Sequence, residues 1–130
     1  MDLLHRKFSA QSVALANGIP SKRVTDLCNQ GLIMGQREPL GRGYVREFSF
    51  FNVMEVGLAI TLMEIGVRSP GDAFRAAQRF SHTGDGGAGW VGDDAFADGD
   101  PHRWPGLPFN YELGDTFLCV AGGKSVVALD

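Results

Sequence analysis

The chain has 130 residues, enough for one domain of ordinary size and too few for a multidomain enzyme or a large cofactor-binding barrel. Hydrophobic residues make up 44% and charged residues 21%, a balance that excludes a wholly disordered or membrane-embedded chain. The net charge of −3 conceals an asymmetry: residues 1–80 hold ten Lys/Arg against seven Asp/Glu, a balance of +3, whereas residues 81–130 hold two against eight, a balance of −6.

The opening Met1-Asp2-Leu3-Leu4 passes at once into His5-Arg6-Lys7, so no secretory leader is expected. Cys28 and Cys119 lie far apart without a CxxC pair, which predicts no disulfide framework, no zinc site and a reduced, cytoplasmic setting. Ser9 reads as the N-cap of a short helix through Val13, Ala14 and Ala16 that stops at Asn17-Gly18. Pro20-Ser21 reopen a helix in which Val24, Leu27 and Cys28 recur at helical spacing until Gly31; Cys28 reads as a small core residue. Lys22 and Arg23 stand in its first turn, where positive charge opposes the helix dipole, so their presence asks for a reason other than helix stability. The turn Asn17-Gly18-Ile19-Pro20 between the two is of the kind that joins helix-turn-helix units.

Leu32-Ile33-Met34 and Tyr44 to Phe48 read as two short strands around the Gly/Pro-rich stretch Gly35 to Gly43, a β-hairpin wing that carries Arg37, Arg42, Tyr44 and Arg46. Ser49 or Asn52 then caps a long helix ending at Gly66. Its apolar residues are too numerous for one exposed stripe, which places it at the centre of the core, and Asn52 and Glu55 with its short length exclude a membrane span. Ser69-Pro70 starts a last helix, Gly71 to about Phe80, with Phe74, Ala77 and Phe80 inward and Arg75 and Arg79 outward. Ser81 to Pro108 is a Gly-, Asp- and Pro-rich loop in which Trp90, Val91, Phe96 and Trp104 are the available anchors. Thr116–Ala121 and Ser125–Leu129, flanking Gly122-Gly123-Lys124, predict a hairpin.

The run from Phe8 to about Ala77 resembles the winged helix-turn-helix DNA-binding domain of the MerR family. The resemblance rests on Phe8-Ser9 leading into Val13-Ala14, on Gly18-Ile19-Pro20-Ser21 and Val24, on Gly31-Leu32-Ile33, and on Arg42-Gly43-Tyr44-Val45-Arg46-Glu47-Phe48-Ser49 before an apolar helix ending at Gly66-Val67. It implies a winged helix-turn-helix domain over residues 1–80; with the acidic loop over 81–108 and the β-hairpin over 109–130 read from the residues themselves, the fold expected is α+β. It also implies binding of double-stranded DNA, with Ser21, Lys22, Arg23 and Thr25 facing DNA from the second helix and Arg37, Arg42, Tyr44 and Arg46 contacting it from the wing. The second helix departs from the family pattern in carrying Thr25-Asp26-Leu27 where an Arg and two aromatics are common, and the usual dimerising coiled coil is replaced by the glycine-rich loop.

A transcription regulator is therefore expected, with DNA, a second copy joined through the C-terminal hairpin, and RNA polymerase or another regulator as partners. An excisionase-like DNA-bending factor and a protein-interaction module are the alternatives. No nucleophile triad or phosphate-cradling GxxxxGK[ST] occurs, so neither an enzyme nor a cofactor is expected. Asp93-Asp94, Asp98, Asp100 and His102 match no EF-hand spacing and read as a solvated acidic linker. Trp90 and Trp104 read as pins of the loop before a ligand pocket, and His5, His82 and His102 as isolated and exposed.

Overall fold

Ser9 stands in extended backbone and its side chain accepts from the Ser12 N–H, which starts α1, Ala10–Asn17. Gly18 ends it in the left-handed region at φ 66°. There the Gly18 N–H donates to Leu15 O and the Ile19 N–H to Ala14 O, so carbonyls the helix leaves unpaired are satisfied by a turn that favours glycine. After Pro20 the chain re-enters a helix as α2, Ser21–Asn29, which closes with the same bond pattern, Gly31 to Cys28 O and Leu32 to Leu27 O. These coordinates, a computed structural model, describe residues 3–36, 46–84, 103–121 and 123–129.

α3, Phe50–Glu64, begins at Ser49 in a capping box. Ser49 Oγ accepts from the Asn52 N–H while the Ser49 N–H donates to Asn52 Oδ1, so both candidate caps act together. α4, Pro70–Ser81, starts at Ser69 with proline in its first turn and runs one residue beyond Phe80. The helices meet in one core: Val13 and Ala14 of α1, Val24 and Leu27 of α2, Val56, Ala59 and Ile60 of α3, and Ala73, Phe74 and Ala77 of α4. Phe48 and Phe74 are about 1% exposed, and such burial is worth roughly 1.5–3 kcal/mol per side chain.

The expected wing strands are corrected at Leu32–Met34 and at Arg46–Glu47, while Tyr44 and Val45 lie outside the described residues. Leu32 to Met34 passes through a bend into a turn, because side chains of α3 and α4 satisfy its backbone in place of a ladder. Leu32 O accepts from Gln78 Nε2 at 2.9 Å, the Met34 N–H donates to Glu55 Oε2 at 2.9 Å, and Met34 O accepts from Asn52 Nδ2 at 3.1 Å. On the returning side Arg46 and Glu47 are not in a strand either. Phe48 instead forms an isolated bridge with Phe8, each N–H donating to the other's carbonyl at 2.8 Å.

β1, Thr116–Ala121, and β2, Lys124–Leu129, pair antiparallel with Ala121 opposite Lys124, so Lys124 belongs to the strand rather than the turn. A lone two-stranded hairpin is marginal in water. This one packs against α4, with Leu118 and Val120 on the core side, and leaves Phe117 and Val126 about half exposed on the outer side. Among the described residues the architecture is thus mixed α+β, four α-helices and an antiparallel hairpin, and no helix is long and apolar enough to cross a membrane.

The stretch after α4 is anchored by a cation, which sequence reading missed. Arg103 is 5% exposed, and its guanidinium donates to Phe80 O, Trp104 O and Leu107 O through Nη1 and to Arg79 O and Thr83 O through Nη2. It lies 4.6 Å from the centre of the Phe80 ring, which is why Phe80 is half-buried beneath a charge instead of inside the core. The negative end of a helix dipole favours a cation there. The proposed anchors Trp90, Val91 and Phe96 and the acidic run Asp93 to His102 lie outside the described residues.

Candidate nucleic-acid interface

The face of α2 is set by its apolar spacing. Val24, Leu27 and Cys28 are buried, which turns Ser21, Lys22, Arg23 and Thr25 to the exposed side. Lys22 Nζ lies 3.1 Å from Asp26 Oδ2, with the two side chains 85% and 48% exposed, a geometry worth a few tenths of a kcal/mol that leaves the ammonium available. This pair also offsets part of the cost of a cation in the first turn. Arg23 has no ion-pair partner among the described residues. Thr25 Oγ1 donates back to Ser21 O at 3.3 Å, leaving its oxygen able to accept. Beside this row, Lys22, Arg23, Asp26 and Gln30 border a groove of about 460 Å³ closed on the other side by Met63 and Pro70.

Of the expected wing contacts, the structure describes Arg46. It is half-buried, and its Nη2 donates to Asn29 Oδ1 at 3.0 Å, so its charge sits at the C-terminal end of α2. Cys28 is close enough to feel it: burial pushes the thiol up, and the Arg46 guanidinium offsets part of that rise. Arg46 therefore ties the returning chain to α2. Arg37, Arg42 and Tyr44 lie outside the described residues.

The base of the stretch that leads to them is held by Glu55, which is 0% exposed. Its Oε1 accepts from Asn52 Nδ2 at 3.1 Å and from His82 Nε2 at 2.7 Å; its Oε2 accepts from the Met34 N–H at 2.9 Å and from Gln78 Nε2 at 2.8 Å. A buried carboxylate survives only with such a set of donors. The arrangement corrects the expectation that His82 is isolated and exposed, since its side chain is 17% exposed and closes the cluster. A signal for Glu55 was present in the sequence: it stands three residues after Asn52 and four before Ala59, all on one face of an otherwise apolar helix. Among the described residues, no three His, Cys, Asp or Glu side chains gather to hold a metal ion.

Compared with protein-family models, with curated proteins and with solved structures, the chain matches none.

Proposed function

We propose that α1, the turn and α2 act as a helix-turn-helix unit of a winged domain that binds double-stranded DNA as a transcription regulator, with α2 in the major groove. One observation carries this reading: α2 is fixed by its buried face while Ser21, Lys22, Arg23 and Thr25 share the exposed one. A rigid helix presenting cations and hydroxyls is what phosphate positioning and base-edge reading require. In this reading the stretch between Gln36 and Arg46 serves as the wing, and Arg37, Arg42 and Tyr44 contact phosphates.

Duplex binding is expected to weaken with salt, with a slope of about −0.9 per phosphate neutralised. The double substitution Lys22→Ala, Arg23→Ala should make that slope shallower by about 1–2, and Arg23→Ala alone should lose about 1–3 kcal/mol on the specific site if it reads a base. Titrations of wild type and variants at several salt concentrations measure both. Absence of retention on any genomic duplex at low salt overturns the reading, and salt-insensitive retention moves the chain to the protein-interaction class.

The partner copy in this reading docks through the outer face of the β1–β2 hairpin, where Phe117 is 46% and Val126 50% exposed, and so brings two α2 helices to paired half-sites. Sedimentation should give a dimer for the full chain and a monomer for Phe117→Glu, whose side chain lies outside the core. A monomeric wild-type chain removes the dimer.

A further inference from the structure

α3 is apolar around most of its circumference, and such a helix needs cover on every side. One side faces α1, α2 and α4. The opposite side, Val53, Met54, Gly57, Leu58 and Thr61, is roofed incompletely by the inner face of the hairpin, leaving a groove of about 520 Å³ between α3, Leu118 and Thr116 of β1, and Phe80. That volume lies within the range of small-molecule sites.

The polar groups in its wall specify the chemistry. Asn17, the last residue of α1, uses Nδ2 to donate to Val13 O and to Val53 O, both at 3.1 Å. These bonds fix the amide plane and lay Oδ1 against Gly57, in the space a Cβ would occupy. Glycine at this position therefore lets the end of α1 seat on α3 with its amide oxygen in the groove wall. Among the described residues no donor reaches that oxygen. Across the groove Thr116 Oγ1 accepts from the Phe109 N–H at 2.8 Å, which leaves its hydroxyl proton available to donate. Among the described residues no Lys, Arg, Asp or Glu lines the groove, so a charged ligand would lose hydration there without a counter-charge. Met54 adds an adaptable wall.

We propose that this groove binds an uncharged, largely apolar small molecule that donates one hydrogen bond to Asn17 Oδ1. The site does not depend on α2 entering DNA, and its test uses no nucleic acid. Three probes separate its elements: indole, apolar with one N–H donor; 1-methylindole, the same shape without the donor; and indole-3-acetate, with a carboxylate added. Titration of the full isotope-labelled chain, followed by amide chemical shifts, should show saturable movement at Gly57, Leu58 and Leu118 with indole. 1-Methylindole should bind about 2- to 10-fold more weakly, the factor one hydrogen bond supplies, and indole-3-acetate more weakly than indole.

Thr61→Trp places a ring into the groove from an exposed position of α3 and should abolish the response while the amide spectrum stays dispersed. Non-saturable shifts with indole, equal binding of all three probes, or an unchanged response in Thr61→Trp overturn the proposal. So do groove shifts that move with protein concentration alone, which would assign the groove to a second copy.

Discussion

Glu55→Ala should cost the folded state about 3–5 kcal/mol, read as a lower urea midpoint at unchanged slope. The substitution leaves Asn52 Nδ2, His82 Nε2, Gln78 Nε2 and the Met34 N–H facing the space where two acceptor oxygens stood. Unsatisfied buried donors cost about 1–3 kcal/mol each before relaxation, which the half-buried His82 and Gln78 can reduce by turning to water. The informative variant is Glu55→Gln. Each carboxylate oxygen accepts from two donors, so the amide NH₂ points at a donor in either orientation. Asn52 cannot turn to accommodate it, because its Oδ1 is held by the Ser49 N–H and by Ser49 Oγ. The isosteric variant should therefore lose at least about 2 kcal/mol, although it fills the same space. Wild-type stability in Glu55→Gln would show that the side chain acts by volume alone.

Arg103→Ala should cost on the order of 3 kcal/mol, since hydrogen bonds to a charged group are worth about 1.5–3 kcal/mol and five carbonyls share this one. Arg79 O and Phe80 O belong to the last turn of α4, where the helix itself supplies no donor. Arg103→Lys should recover only part of the loss. An ammonium keeps the charge, but its three donors radiate from one point and cannot span carbonyls contributed by residues 79 to 107, whereas the planar guanidinium fork does. Thermal unfolding of the two variants measures the difference, and a lysine variant as stable as wild type would reduce the role of Arg103 to charge alone.

These two side chains also mark the limit of what the sequence discloses. Ser9, Gly18, Ser49 and Ser69 act on backbone groups within a few residues of themselves, so the starts of α1, α3 and α4 and the stop of α1 were legible locally. The hairpin was legible for the same reason, apart from Lys124. Glu55 and Arg103 act across twenty or more residues, on partners that only tertiary packing brings near. That is also why Leu32 to Met34 is not a strand: its β-prone composition is real, but the bonds that settle its path come from Asn52, Glu55 and Gln78. Of the candidate interface, the exposed row on α2 followed from helical spacing alone. The position of Arg46 did not, because it depends on Asn29 meeting it from another element.

The reciprocal bonds between Phe8 and Phe48 close the intervening chain into a noncovalent ring that contains both α1 and α2. The entropy of closing a flexible loop rises only with the logarithm of its length, about 0.6 kcal/mol for each doubling. Residues gained or lost between Gln36 and Arg46 would therefore change the closure cost by a small fraction of a kcal/mol, provided that Phe8, Met34 and Phe48 keep their partners. The fold thus separates two demands: the clasp and the helices it encloses are fixed by their buried residues, while closure of the ring tolerates a change in the number of residues between Gln36 and Arg46 at little thermodynamic penalty.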